Sequence, residues 1–499
     1  MIIDYLEKAF NNFQNKKAVI LENEAITYED MQKDVKIIAT NLLKYNKFNK
    51  PIAVYMDKGI NTLEAFFGIL YSGNFYSLIN TEFPDNRIEQ IINTLETDII
   101  ISDSEHIEEI KNIFKDKNIV DISSLMEGSI DFDSLEEIRK RKCDIDPVYI
   151  NFTSGSTGVP KGVVIGSSSI IDFIEEFTST FNITENDIIA NQAPFDFDVS
   201  VKDIYSSFFK GATLLIVPRS YFSSPVRLLD YLCDNKATTL IWAVSALCLI
   251  TTFHGLDYKT PETVNKVIFS GEVMPLKHLK QWISHLHNAT FVNVYGPTEI
   301  TCNCTYYIID NDHDYEIIPI GKAFKNERVF LLDENDKLIT EKNKSGEICV
   351  SGRCLALGYF NNKTQTDAHF VQNPLNKSYI EMIYRTGDLG YIDEDDNFVF
   401  NGRKDFQIKY MGHRIELEEI DREISKLNEI KRAVTIFSEK KNKIICFYVG
   451  EIEPNEIVNK IKDSIPGYMV PSILKKVDDF ALNKNGKVDR KILLESIEG

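Results

Sequence analysis

Tyr149 to Val164 reads YINFTSGSTGVPKGVV, an apolar run that breaks into hydroxyls and glycines and resumes after Pro160-Lys161-Gly162. At Gly155 and Gly158, backbone N–H groups can face an anion with no Cβ in the way. The hydroxyls of Thr153, Ser154, Ser156 and Thr157 can donate to its oxygens, and Lys161 closes the loop with a cation. The loop is not a Walker A motif. Pro160 stands where the second glycine should be, and Gly162 follows Lys161 where Ser or Thr should hold magnesium. Its chemistry is still that of a phosphate cradle.

Elements able to position such a loop are legible on both sides of it. PIAVYM, DIIISD, NIVDIS, DIIANQAP, ATLLIVP, TTLIWAV, NKVIFSG and ATFVNVYG are short β-branched runs separated by helical lengths, the pattern of layered α/β structure with covered sheet faces. NTLEAFFGILYSG is a helix closed by Gly73. From about Ile318 the pattern turns to hairpins (RVFLLDENDKLIT, GEICVSG, LGYIDEDDNFVFNG), as in a small antiparallel unit. After Gly402-Arg403-Lys404-Asp405 it changes again, to helix, hairpin and helix, enough for a small α+β domain. The expected fold class is α/β: a large N-terminal domain, 1–404, of layered α/β subdomains plus the antiparallel unit, then a mobile C-terminal domain, 405–499.

The 499 residues carry 56 Lys+Arg against 75 Asp+Glu, a net charge of −19. That surface repels nucleic acid and anionic lipid, so neither is expected as a partner, and a bound polyanion needs a local site. The eight cysteines show no CxxC spacing and read as reduced thiols. MIIDYLEKAFNNF has no signal-peptide pattern, and no apolar run approaches the roughly 18 residues of a spanning helix. A cytoplasmic monomer is expected.

TSGSTGVPKG resembles the signature loop of the adenylate-forming superfamily. Strings similar to that family's follow in order: NVYGPTE (293–299), GEICVSGRCLALGYF, YRTGDLG, GRKDFQIKYMGHRIELEEID and NKNGKVDRKIL. The resemblance spans nearly the whole chain. Its phrasing is most similar to stand-alone amino-acid adenylation enzymes, nonribosomal peptide synthetase adenylation domains and D-alanine–carrier protein ligases. It implies ATP and Mg²⁺ as cofactors, an amino-acid substrate, and a phosphopantetheinylated carrier protein supplied in trans. DSLEE, at Asp133, superficially resembles a phosphopantetheine attachment site but reads as a helix N-terminus. An acyl- or aryl-CoA ligase is the alternative.

Residue by residue, Tyr295 offers adenine a flat face and the Asn293 amide suits a purine edge. Thr298 adds a hydroxyl near the α-phosphate, and Glu299 is a hard carboxylate suited to Mg²⁺. Asp388 can accept both ribose hydroxyls. Arg403 is similar to the family arginine at the nucleotide, with a structural salt bridge as its other reading. Lys487, after the Asn-Gly turn, would stabilise charge when a carboxylate attacks the α-phosphorus, whereas Lys484 reads as solvated. The C-terminal domain would then rotate at Asp405, withdraw Lys487 and present Lys409 and Gly412 beside a thiol tunnel. Asp198 matches the family aspartate for the substrate ammonium. The remaining pocket maps to Val199, Lys202, Ala243, Val244, Ile268, Ser270, Val294, Cys302 and Asn303. Small walls suggest a small or medium side chain. Lys202 departs from the D-alanine ligases: it either favours an acidic or amide side chain, or pairs with Asp203 or snorkels away.

Overall fold

A computed structural model of the chain describes residues 1–155, 159–481 and 488–498. Among them the strands form five sheets, of nine, seven, six, three and two strands. In the largest, Lys17–Leu21, Thr213–Ile216, Ile188–Asn191, Thr239–Ala243, Lys266–Ser270 and Thr290–Tyr295 lie parallel in that spatial order. Antiparallel strands close both edges. The seven-stranded sheet sets Pro147–Thr153 parallel to Phe75–Leu78, then adds Lys161–Gly166 and Gly358–Tyr359 antiparallel. Phe75–Leu78, Ile99–Ser102 and Thr213–Ile216 are buried at every position, as mostly apolar strands covered on both faces should be, and the hydroxyls of Ser77, Ser102 and Thr213 donate to backbone carbonyls.

The hairpins expected beyond residue 318 form the six-stranded antiparallel sheet, which runs from Glu327–Leu332 to Phe398–Arg403. Lys404 to Phe406 then lead into the hairpin Gln407–Tyr410/His413–Glu416, whose two-residue turn has positive φ at both Met411 and Gly412. That geometry matches the twist of the flanking strands. The rest of the C-terminal stretch builds its own cores from the helix Leu417–Ser425, the hairpin Ile430–Ser438/Lys443–Gly450, and the helices Pro454–Ile461 and Arg490–Glu498.

Two elements place the site. The helix Val199–Lys210 starts at Asp198 and stops at Gly211, where φ is +70° and a Cβ would sit 2.1 Å from the Phe13 ring. Between strands 147–153 and 161–166 runs the hydroxyl-rich loop, of which Ser156, Thr157 and Gly158 lie outside the described residues. All eight cysteines are unpaired. Among the described residues no helix is long and apolar enough to cross a membrane.

The C-terminal stretch is docked on the rest by polar contacts that are themselves buried. Arg87 Nη1 donates to Glu419 Oε1 at 2.7 Å, with both side chains at most 6% exposed. Ser154 Oγ donates to the Arg414 carbonyl at 2.8 Å, and Asn86 Nδ2 to the Ser464 carbonyl at 3.3 Å. Removing one member of a buried ion pair strands the other in low dielectric, whereas replacing both with neutral groups does not. Arg87→Ala should therefore destabilise the docked state by about 3 kcal/mol. The pair Arg87→Met/Glu419→Gln should be less destabilised than the single variant. Hydrogen exchange in Leu417–Ser425 reads the difference.

Candidate active site

A cavity opens at the carboxyl ends of Lys266–Ser270 and Thr290–Tyr295, the position at which open α/β sheets bind ligands. Thr153 and Ser154 line it, as do Asp198, Val199, Lys202, Ser270, Thr298, Cys302, Asn303, Asp388 and Arg403. Gln407, Lys409, Gly412, His413, Arg414 and Tyr468 complete the wall from the C-terminal side. Residues far apart in sequence and chosen for their chemistry are thus brought together.

On the side of the hydroxyl-rich loop, Thr153 Oγ1 is buried and has no hydrogen-bond partner among the described residues. A Cβ at Gly155 would lie 2.0 Å from the Val159 carbonyl oxygen, so the turn requires glycine. Burial raises the pKa of the Glu419 carboxyl, opposed by Arg87 and, behind it, by the Gly155 backbone amide. Lys161 is buried with its ammonium 5.3 Å from the centre of the Tyr359 ring, and burial lowers its pKa against the pull of Glu299.

Glu299 is fully buried. Arg414 Nη1 donates to both of its oxygens, at 2.9 and 2.7 Å, and the Tyr359 hydroxyl adds a bond at 2.7 Å. Burial pushes this carboxyl up, but the Arg414 and Lys161 cations outweigh it and hold the pKa at about 2. Asp388 accepts from the Tyr295 hydroxyl and from Arg403, which also grips Asp405 through Nε and Nη2 at 2.6 and 2.7 Å. The structural salt bridge weighed for Arg403 is present, and it ties the expected hinge residue to the expected ribose carboxylate. Lys409 sits 5.6 Å from the centre of the Tyr295 ring, while the Asn293 side chain donates to the Pro319 carbonyl at 2.8 Å.

On the opposite side, Asp198 heads its helix, where the macrodipole favours a carboxylate. Burial raises its pKa, opposed by a hydrogen bond from Thr298 and by the Lys202 and Lys409 charges. Lys202 neither snorkels nor ion-pairs with Asp203. It is fully buried, donating to Asn303 Oδ1 at 2.8 Å and Ser270 Oγ at 3.3 Å. Asp203 takes the Asn191 amide at 2.6 Å and is pushed up to about 8 by burial. Val294 does not line the cavity. It shares a strand face with Val292 and packs in the core, and Ile268 and Val244 are core residues too. Ala243 lies on the hairpin side, 3.7 Å from where a Gly412 Cβ would be.

The AMP-binding enzyme family matches residues 6–360 of the chain. The chain belongs to that family. Zwittermicin A synthase ZmaJ of Bacillus cereus is 32% identical over 95% of this AMP-binding enzyme and 91% of its own length. Tyrocidine synthase 1 of Brevibacillus parabrevis is 29% identical over 98% of this chain. The chain spans only 44% of that synthase, and 9% of bacitracin synthase 1 of Bacillus licheniformis. By fold, it superposes with the Vibrio cholerae adenylation domain AlmE bound to glycyl-adenosine-5'-phosphate at a TM-score of 0.86, with 20% identity and 100% and 97% of the two chains covered. The o-succinylbenzoate CoA synthetase of Bacillus subtilis gives 0.85, with 18% identity and 98% and 97% covered.

The residues of this AMP-binding enzyme fit a magnesium nucleotide. Mg²⁺ takes one or two carboxylates and completes its shell with phosphate oxygens and water, which suits the single carboxylate of Glu299. The orphaned Thr153 hydroxyl suits a phosphate oxygen. Lys487 lies outside the described residues, as do Ser156, Thr157 and Gly158.

Sequence reasoning missed Arg414, His413 and Tyr468, although GHRIE carried the first two in view. His413 stacks on Tyr468 at 3.5 Å between ring centres and meets the Phe197 ring edge-on at 4.6 Å. Burial, helped by the Arg219 charge, drops its pKa from 6.5 to about 3, so the docked hairpin holds the ring neutral. An undocked imidazole binds its proton near pH 6.5, and docking must expel it. The stability of docking is thus fully present above pH 6.5 and falls as pH drops toward 3, by about 1.4 kcal/mol per pH unit. Hydrogen exchange over 407–416 between pH 5 and 7.5 should show this loss, and His413→Phe should remove most of it.

Proposed function

We propose that this AMP-forming ligase activates an α-amino acid and passes it to the phosphopantetheine thiol of a carrier protein supplied in trans. Its coarser activity, adenylate formation, follows from its family. The amino-acid reading is supported chiefly by Asp198, a half-buried carboxylate on the cavity wall whose pKa desolvation raises. A substrate ammonium there would gain a charge-assisted bond and relieve the unfavourable burial of the anion.

In the first step a substrate carboxylate oxygen bonds to the α-phosphorus of ATP and the bond to pyrophosphate breaks. Bound Mg²⁺ would offset the phosphate charge. Glu299 would hold the metal, Thr153, Ser154 and the loop would orient phosphate oxygens, and Asp388 would fix the ribose. Lys487 would donate to the reacting oxygens. In the second step the thiol sulfur bonds to the acyl carbon, its proton leaves, and the C–O bond to AMP breaks.

The arrangement described here suits the second step. Arg414 engages both oxygens of Glu299, so the docked hairpin takes up the carboxylate that a bound metal would use. We place the boundary between the moving parts at Asp405, next to its Arg403 anchor. A CoA ligase acting on a non-amino acid is the second reading, favoured by the likeness in fold to the CoA synthetase.

Lys487→Ala should lower ATP–pyrophosphate exchange by about 10²–10³-fold while leaving thioester formation from preformed adenylate much less affected. Exchange at the wild-type rate would refute the assignment. Asp198→Ala should lose about 1.5–3 kcal/mol with an amino acid and less with its deaminated analogue. A parallel loss on both would favour the CoA-ligase reading.

A further inference from the structure

The inner end of the cavity has a polarity that its individual residues do not announce. Asp198 and Lys202 stand four positions apart on one helix, so they share a face about one turn apart. One end of that face offers acceptors, the other a cation. Lys202 has three N–H donors and gives two to Asn303 Oδ1 and Ser270 Oγ. Among the described residues it has no carboxylate in ion-pair contact. With Asn303 Oδ1 turned to the ammonium, the Asn303 NH₂ keeps its two donors. Ser270, accepting from Lys202, keeps its hydroxyl proton. Cys302 gives its S–H to the Asp198 carbonyl, and the Asp198 and Asp203 carboxyls act on the ammonium by charge without an ion-pair contact. Asp203 does not line the cavity, so what the wall offers beside Lys202 is donors.

The backbone is strained to build it. Thr301 and Cys302 are consecutive non-glycine residues at φ +56° and +81°, held by a bond from Thr301 Oγ1 to the Cys354 carbonyl at 2.7 Å. Such strain persists where the surroundings over-determine it, and here it delivers Asn303 to Lys202.

We infer that Lys202, Asn303 and Ser270 form a side-chain subsite for a carboxylate, so that the preferred substrate is an acidic α-amino acid. This rests on the amino-acid reading above. A zwitterion with an anionic side chain matches the face at both ends: its ammonium meets Asp198 and its carboxylate meets the donor cluster. The buried ammonium, whose pKa burial lowers, regains its charge stabilisation when the carboxylate arrives. An amide side chain fits less well, because its NH₂ would face donors. An alkyl side chain leaves the cluster unsatisfied, and the pocket rejects it.

The test is ATP–pyrophosphate exchange with two series. One contains both enantiomers of aspartate, glutamate, asparagine, glutamine, alanine and 2-aminobutyrate. The other contains the deaminated acids succinate, glutarate, propionate and butyrate. Wild-type kcat/KM should favour the acidic members over the neutral ones by about tenfold or more, and Lys202→Met should reverse the order while exchange persists. A neutral member ranking first overturns the inference. So does a rank order unchanged in Lys202→Met, or amides equal to their acids. Should Lys202→Met fail to fold, the wild-type ratio alone decides. The acidic-to-neutral ratio within either series judges the Lys202 subsite. The amino-to-deaminated ratio judges the amino-acid reading, so each can fail without the other. No exchange with any member would overturn both.

Discussion

Glu299 is a carboxylate with no exposed surface, and such a group needs a cation held against it or it takes up a proton. Here the cation is Arg414, from a hairpin more than a hundred residues later in the chain. Much else is arranged around that contact. The turn at Met411-Gly412 brings the hairpin round so that Arg414 faces inward, and the Gly412 N–H fixes its tip on Glu272 at 2.9 Å. His413, beside the arginine, is pressed between Tyr468 and Phe197. Tyr359 and Lys161 close the carboxylate from the sheet side, and the pKa of about 2 reports how completely its charge is compensated.

The sheets explain why the other groups can be rigid. Ser270 ends one parallel strand, Thr298 follows the end of the next, and Asp198 begins a helix packed on the same sheet. Side chains at strand ends inherit the precision of the hydrogen-bonded ladder while their backbones are free to turn into the cavity. The phosphate loop is placed likewise between two antiparallel strands of the second sheet. Cavity residues thus come from three sheets and from the docked C-terminal stretch, so the site's shape depends on where the hairpin lies.

Local structure was largely legible in the sequence because it is encoded locally. The β-branched runs from PIAVYM to ATFVNVYG are strands, Gly73 follows a helix end with φ +84°, and the hairpins after residue 318 form an antiparallel sheet. The motif strings also located most of the cavity wall. What stayed hidden were partners across long sequence separations. Nothing in GHRIE says that its arginine meets Glu299, nor in VSVKDIY that Lys202 turns to Asn303 instead of the adjacent Asp203. Adjacent helical residues point about 100° apart, so Asp203 had the wrong direction despite its charge. Val294 was placed on the wall by alignment alone. Strand alternation puts it with Val292, on the core face.

The contact at Glu299 bears on the two arrangements proposed for the same parts. Arg414 sits on Glu299, the carboxylate suited to a divalent cation, while Glu419 pairs with Arg87. A cation of the C-terminal stretch therefore stands where a bound metal ion would compensate the same carboxylate. The substitution works because buried charges bind whatever compensates them, and desolvation makes either compensation compulsory. Glu299 cannot serve both cations fully at once, since Arg414 bonds to both of its oxygens and Tyr359 to one of them. With Glu299 holding the metal as proposed, docking of the hairpin and metal binding would compete for one carboxylate, and charge compensation would set their balance more than apolar contact. A chain with a net charge of −19 can hold that balance because the competing charges are buried, where surface repulsion is remote and pairing distances of 2.7–2.9 Å dominate.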